Sequence, residues 1–292
     1  MLQFLIVLNR LLLATDPDCD RVGTAVWDKG QIRLMTGNEI GVLLMDFICR
    51  KRIKNGTMPD NPVMVKTIVT TEQAKEIAKY YGIELREVLT GFKYIGEQIG
   101  LLEKDGEVNR FLFGFEESYG YLTGTSVRDK DGVNAALLIC RMTAEYKEMG
   151  MSLADALRDL QKKFGYVQQS LESITFRGEN GMMEMKRIMG LLREEPISDV
   201  DGAELSSVED YMKQISTDYV TGKTKAIRLP VSNVLKFIYH GIYTLVVRPS
   251  GTEPKLKFYY AVRGEDEKDA YEKMKVLKQS VQNRIKSLSE EI

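Results

Sequence analysis

Asp16-Pro17-Asp18-Cys19-Asp20-Arg21 follows directly on the apolar run Leu11-Leu12-Leu13-Ala14. Alternate residues of an extended segment point the same way, so the carboxylates of Asp16, Asp18 and Asp20 can converge on one point. Converging carboxylates repel unless a hard divalent cation neutralises them. Mg²⁺ or Mn²⁺ takes oxygen ligands and keeps positions open for water or a phosphate oxygen. A polar turn at a strand end is the plainer alternative, since Asp and Pro are common turn residues. A calcium loop of the EF-hand type is ruled out, because that motif needs Gly at its sixth position and Glu at its twelfth, where this chain has Arg21 and Trp27. Arg21 would set a guanidinium beside the metal, where an anionic group could bridge both.

Around this stretch the chain alternates. Val22 to Val26 and Gln31 to Met35 are strand-like, with a turn at Asp28-Lys29-Gly30. Ile40, Leu43, Leu44, Phe47 and Ile48 recur at helical spacing from Asn38 to Arg52. Val63 to Val69 is a strand, and Thr70 or Thr71 is expected to cap a helix reaching about Tyr81. Strand Ile83 to Leu89, helix Phe92 to Leu102, strand Phe111 to Phe115 and helices Asp131 to Met149 and Ser152 to Phe164 follow. Strands alternating with helices imply a sheet covered on both faces. Past Phe164-Gly165 the style changes. A strand at Gln168 to Arg177 and a helix at Gly181 to Arg193 lead to strand candidates Lys225 to Leu229, Val234 to Tyr239, Tyr243 to Val247 and Leu256 to Val262. The closing helix, Asp266 to Ser289, carries Ala270, Met274, Leu277, Val281 and Ile285 on one face. Strands grouped between helices imply a small α+β domain.

The 292 residues have a formal net charge of −1, so no overall basic excess points to nucleic acid, and any anion binding must be local. The three cysteines, Cys19, Cys49 and Cys140, are widely spaced, which fits a reducing, cytoplasmic setting without a disulfide framework. The apolar start, residues 1 to 14, is interrupted by Asn9 and Arg10, is too short to span a bilayer and lacks signal-peptide features. It is expected to be core-forming chain ending in a buried strand, and no membrane association is expected. A single histidine, His240, excludes a multi-His zinc site and argues against a His-based triad. It precedes Gly241 in a turn and is read as structural.

Two further motifs carry chemistry. Arg248-Pro249-Ser250-Gly251-Thr252-Glu253-Pro254-Lys255 joins two apolar strands. Arg248 offers a bidentate fork, Ser250 and Thr252 hydroxyls, Gly251 close backbone approach, and Lys255 a further charge, which together make an oxyanion or phosphate cradle. Two prolines stiffen it, so less entropy is lost on binding. Gly114-Phe115-Glu116-Glu117-Ser118-Tyr119-Gly120-Tyr121 sets two carboxylates and a hydroxyl after a buried strand, suited to sugar hydroxyls. Glu116 and Glu117 are adjacent, so their side chains diverge, against the paired geometry of glycoside hydrolysis. Lys93, where a strand meets a helix, could reach an anionic ligand. In Arg128-Asp129-Lys130-Asp131-Gly132, Asp131 is expected to be a helix N-cap.

An Asp-x-Asp-x-Asp-Arg loop, a Gly-x-Glu-Glu-Ser loop and Arg-Pro-Ser-Gly-Thr-Glu-Pro-Lys, in this order, resemble the α-D-phosphohexomutase superfamily of phosphoglucomutases and phosphomannomutases, from about Leu11 to Val262. The resemblance implies an α/β chain in three parts: residues 1–37, the remnant of domain 2 with the metal loop; residues 38–165, a three-layer α/β domain 3 with a mixed sheet that binds sugar; and residues 166–292, a small α+β domain 4 with an antiparallel sheet that binds phosphate. It implies Mg²⁺ at Asp16, Asp18 and Asp20, with Arg21 supporting the phosphoryl group. Glu116, Ser118 and Lys93 would meet the sugar, and Arg248, Ser250, Gly251 and Thr252 the phosphate that is not transferred. The implied reaction interconverts hexose 1- and 6-phosphates, glucose or mannose, through a phosphoserine and a bisphosphate.

The family's phosphoserine motif, Thr-Ala-Ser-His-Asn-Pro-like, does not occur in the chain. The expectation is therefore a truncated mutase without normal activity of its own, alternatively a sugar-phosphate-binding module or one half of a split mutase. The apolar residues Leu2 to Leu8 are expected to cover an orphaned edge or to drive self-association.

Overall fold

The computed structural model describes residues 5–8, 11–176, 180–251 and 253–290, with the backbone alone at 5–8, 289 and 290. The chain divides into two compact units, Met1–Phe164 and Gly165–Ile292.

In the first unit β1 (Leu5–Leu8), β2 (Leu11–Thr15), β3 (Val22–Asp28) and β4 (Gln31–Met35) form an antiparallel sheet in chain order. Lys29 and Gly30, both at positive φ (47° and 86°), make the two-residue connection between β3 and β4, the backbone that matches hairpin twist. Then come α1 (Gly37–Lys54), β5 (Val63–Thr67), α2 (Gln73–Tyr81), β6 (Glu84–Val88), α3 (Phe92–Lys104), β7 (Phe111–Phe115), β8 (Tyr121–Leu122), α4 (Gly132–Glu148) and α5 (Leu153–Phe164). Their sheet has the order β6-β5-β7-β8, with β5 parallel to β6 and β7 and only β8 antiparallel. It is a mixed sheet covered on both faces. Met64 joins one core with Leu43, Leu44, Phe47 and Phe113, while Val63 and Val65 join another with Phe92, Ile95 and Ile99.

Helix α1 opens on a capping box: Thr36 Oγ1 accepts from the Glu39 amide, and the Glu39 carboxylate from the Thr36 amide. Helix α2 departs from the sequence expectation. It begins at Gln73 behind Glu72, which makes no side-chain cap. Thr71 Oγ1 accepts from the Gln73 amide, and Thr70 bonds Thr67 instead. Thr71 therefore serves the first amide of the helix from one residue ahead of the assigned cap, while Thr70 does not cap it. Asp131 does cap α4, accepting from the Asn134 amide at 2.8 Å.

The second unit holds β9 (Tyr166–Thr175), α6 (Gly181–Glu194), β10 (Asp199–Val200), β11 (Ala203–Asp210), β12 (Ile215–Asp218), β13 (Thr224–Ala226), β14 (Leu235–Tyr239), β15 (Tyr243–Pro249), β16 (Lys255–Gly264) and α7 (Glu267–Glu290). Its antiparallel sheet runs β13-β12-β11-β14-β15-β16-β9, with β10 beside β11. Strands β10 to β12 were not expected from sequence, because Glu204-Leu205-Ser206-Ser207-Val208-Glu209 is polar and only partly buried. The expected strand Lys225 to Leu229 shrinks to β13, whose three residues are all exposed. Ala270, Met274, Leu277, Val281 and Ile285 of α7 are buried as the helical spacing requires, against a core that includes Phe237, Val247 and Phe258. His240 sits at φ 43° in the turn between β14 and β15, exposed. No helix among the described residues is long and apolar enough to cross a membrane.

Helix α5 starts on a reciprocal pair. Ser152 Oγ accepts from the Asp155 amide, and Asp155 accepts from the Ser152 amide and hydroxyl. These bonds, with Arg158, lower the Asp155 carboxyl from 3.8 to about 2. A depressed carboxyl stabilises the fold above its unfolded value and loses that contribution as pH falls through its folded one. Asp155→Ala is expected to cost about 1 kcal/mol at neutral pH. In urea titrations the gap between variant and wild type should close as pH drops from 3.8 toward about 2.

Candidate active site

The six residues from Asp16 to Arg21 connect β2 to β3, whose register closes at Thr15↔Val22. They are not extended. Cys19 takes φ 57° and its amide donates to the Asp16 carbonyl at 3.0 Å. Convergence thus comes from a turn and not from strand alternation. One carboxylate oxygen each of Asp16, Asp18 and Asp20 lies within 4.8 Å of the others.

Two cations balance this charge. The Arg21 backbone amide and Nε donate to Asp16 at 3.1 and 2.6 Å. Burial pushes the Asp16 carboxyl up, but the Arg21 bonds outweigh it and hold it below the usual value. Lys130 Nζ lies 3.0 Å from Asp20 Oδ2 and 3.0 Å from Asp129 Oδ1. Burial pulls its ammonium down, and the two carboxylates more than restore it. Asp20 Oδ1 is buried and accepts no hydrogen bond, with Arg21 Nε 3.4 Å away. A buried carboxylate oxygen without a hydrogen bond is costly, and oxygen donors gathered on one point are the donor set of Mg²⁺. The residues fit that ion.

The acidic loop is tied to the Glu116–Gly120 loop. Arg21 pairs with Gly120 in an antiparallel bridge, and the Val22 amide donates to the Tyr119 carbonyl at 3.2 Å. On its other side the Gly132 amide, at the start of α4, donates to the Cys19 carbonyl at 3.2 Å. A Cβ at Gly132 would fall 2.5 Å from that oxygen. Helix α4 therefore brings its positive end to the acidic loop, where negative charge is stabilised.

Glu116 is buried at the end of β7, and the Ser118 hydroxyl donates to its Oε1 at 2.9 Å. Glu117 turns the other way, toward the hydroxyls of Thr67 and Thr70, and burial raises its carboxyl above the usual value. Tyr119 holds φ 70°, a left-handed conformation that costs a non-glycine residue about 1 kcal/mol. Lys93 is exposed with Nζ over the Tyr94 ring, 4.9 Å from its centroid. Among the described residues no hydrogen bond joins it to Glu116 or Ser118. Lys130 and Gly37 belong to this site and were missed in the sequence. Lys130 stood in plain sight in the charged stretch 128–132, but its pairing with Asp20, 110 positions earlier, needs the fold.

In the second unit, considered alone, residues 249–255 close the β15–β16 hairpin. The Ser250 amide donates to the Lys255 carbonyl at 2.7 Å, and the Lys255 amide to the Glu253 carbonyl at 2.8 Å. The Pro254 carbonyl accepts from the Phe176 amide at 2.8 Å. Lys255 Nζ lies 3.0 Å from Glu253 Oε2, so its charge is partly spent within the loop. Arg248 and Ser250 are half-buried and Gly251 is exposed. A Cβ at Gly251 would meet nothing within 4 Å, which leaves the tip open to a ligand. Thr252 lies outside the described residues.

The class is defined by the mixed α/β/α domain with its acidic and Glu-Glu-Ser loops. A family model, phosphoglucomutase/phosphomannomutase, alpha/beta/alpha domain III, matches residues 36–164. A phosphoglucomutase of Staphylococcus epidermidis is 38% identical over 253 residues, 86% of this chain and 45% of that protein. One of Staphylococcus aureus is 35% identical over 268 residues, 91% of this chain and 47% of that protein. The fold is also that of parafusin, a phosphoglucomutase from Paramecium in its open form, with TM-score 0.61 and 17% identity over 95% of this chain and 45% of that one. The chain belongs to the phosphoglucomutase/phosphomannomutase family. It spans just under half the length of the relatives it matches.

Gly37, the first residue of α1, is the wedge behind the Glu116–Gly120 loop. A Cβ there would collide with the Glu117 carbonyl group and come within 2.8 Å of the Tyr119 amide nitrogen. Backbone on both sides leaves no side chain to move aside. Gly37→Ala is expected to cost about 2 kcal/mol of stability in urea titrations and to shift the amide resonances of residues 117 to 121.

Proposed function

We propose that this chain provides the metal, sugar and phosphate-clamping parts of a hexose-phosphate mutase that interconverts hexose 1- and 6-phosphates. The observation that carries this reading is the cluster of three carboxylates with Arg21, hydrogen-bonded through the backbone to the loop that bears Glu116 and Ser118. Asp16, Asp18 and Asp20 would hold Mg²⁺. When bound, the ion withdraws charge from the oxygens of a transferring phosphoryl group. The Arg21 guanidinium meets the same charge from the side. Glu116 accepts hydrogen bonds from vicinal sugar hydroxyls, Ser118 keeps the Glu116 carboxylate oriented while contacting the sugar itself, and Lys93 reaches an anionic substrate from the start of α3. In the second unit, taken by itself, Arg248, Ser250, Gly251, Thr252 and Lys255 are the phosphate-gripping residues of this reading. Glucose and mannose phosphates differ in one hydroxyl configuration, and both are candidate substrates.

The 292 residues contain no Thr-Ala-Ser-His-Asn-Pro-like stretch for a phosphoserine. That favours a second reading, in which this chain binds sugar phosphate without turning it over, as a binding module or as one half of a split mutase. The three cysteines are free, which supports a reducing cytoplasmic setting.

Calorimetry and a coupled turnover assay test both readings. Glucose 1-phosphate is expected to bind the chain in Mg²⁺ without conversion to glucose 6-phosphate. Asp18→Asn should weaken Mg²⁺ roughly tenfold or more, and Arg248→Lys should weaken glucose 1-phosphate by about 2 kcal/mol. Binding that is indifferent to both substitutions would refute the assignment, and robust conversion would refute the non-catalytic reading.

We also infer self-association through the N-terminal edge, Leu2 to Leu8, because β1 (Leu5–Leu8) ends the sheet order β1-β2-β3-β4 and an open strand edge is a template for pairing. Light scattering should find a species larger than a monomer that deletion of residues 2 to 8 converts to monomer.

A further inference from the structure

Glu117 stands between two residues read as sugar ligands, yet its side chain leaves them. Its Oε2 lies 3.3 and 3.4 Å from the hydroxyls of Thr67 and Thr70, which are 2.8 Å from each other, so the two hydroxyl protons are shared between Oε2 and the Thr67–Thr70 bond. Both threonines are buried. They belong to the turn after β5, and that turn is itself held from within the fold. Lys66 has no exposed surface. Its Nζ donates to the Thr70 carbonyl at 3.0 Å and the Thr67 carbonyl at 3.4 Å, and lies 2.7 Å from Glu87 Oε1. A buried ammonium demands that its partners stay in place, so the two threonine hydroxyls form a fixed platform.

The loop above this platform is strained at Tyr119 (φ 70°), and a strained loop relaxes unless its surroundings hold it. The Glu116 carboxylate meets the Ser118 hydroxyl while that of Glu117 meets the two threonines, so the neighbouring side chains diverge. Gripping one therefore aims the other. We propose that Glu117 is a positioning residue: by binding Thr67 and Thr70 it fixes the direction in which the Glu116 carboxylate and Ser118 hydroxyl face the sugar. The inference rests on the assignment of Glu116 and Ser118 to the sugar. Glutamine keeps an acceptor oxygen of the same reach, and alanine removes it.

The test uses the full chain with Glu117→Ala, Glu117→Gln and the double variant Thr67→Val with Thr70→Val. Four quantities are read: melting temperature, Mg²⁺ affinity, glucose 1-phosphate affinity, and hydrogen exchange of the Glu116 and Val22 amides, whose acceptors are Gly120 and Tyr119. Glu117→Ala and the double variant are expected to weaken glucose 1-phosphate about tenfold and to speed both exchanges, with Mg²⁺ affinity unchanged. Glu117→Gln should restore wild-type behaviour. Unchanged exchange in Glu117→Ala would overturn the proposal. So would equal loss in Glu117→Gln and Glu117→Ala, which would mean that the charge itself meets the substrate. A parallel fall in melting temperature and Mg²⁺ affinity would reduce Glu117 to general stability. If the wild-type chain binds no glucose 1-phosphate, the functional reading fails on its own, and the exchange rates with their glutamine rescue still decide the positioning role.

Discussion

Three carboxylates held within 4.8 Å of one another are the constraint to which the rest of the first unit answers. At that separation like charges repel by several kcal/mol in a partly buried setting. The chain answers locally with Arg21 and, from far along the sequence, with Lys130. It answers again with backbone, because the first peptide of α4 donates to the middle of the acidic loop. Even so, one oxygen of Asp20 is left without a hydrogen bond. The acidic loop, the start of α4 and the Glu116–Gly120 loop are thereby coupled.

Coupling of this kind works only if the backbones approach closely. Gly37 and Gly132 occupy the first positions of α1 and α4, and each faces the carbonyl of a loop residue with no room for a Cβ. Two helix starts are thus pressed against the acidic loop and the Glu116–Gly120 loop. Behind them, Glu117, Thr67, Thr70 and the buried Lys66 give the second loop a polar floor. The second unit uses a different device. Its loop is a hairpin closed by its own backbone bonds and clipped by the Pro254 carbonyl to Phe176, so rigidity comes from the antiparallel ladder instead of from helix starts.

Strongly periodic stretches were legible in the sequence. The apolar spacing of α7, the strand–helix alternation of β5 to α5 and the turn at Lys29-Gly30 all follow from short-range pattern. Strands β10 to β12 did not, because β11 is polar and half-exposed and becomes a strand by pairing to β14, and β10 and β12 pair to β11 in turn. The acidic loop was legible as composition but not as conformation. Its convergence depends on the left-handed Cys19, which no rule for extended chain supplies. Lys130 and Gly37 were silent for the same reason: each matters through a neighbour more than 75 positions away.

The wedge at Gly37 has a consequence for anyone wishing to reshape the loop that bears Glu116 and Ser118. The natural targets for randomisation are residues 116 to 119, since they form the loop that leaves β7. Their backbone, however, is moulded on α1, so a library confined to those four codons explores new side chains on an unchanging template. Altered preference within that template is reachable through Ser118 and Tyr119. A differently shaped pocket requires substituting the helix start as well, and the two segments are best inherited together as a single cassette.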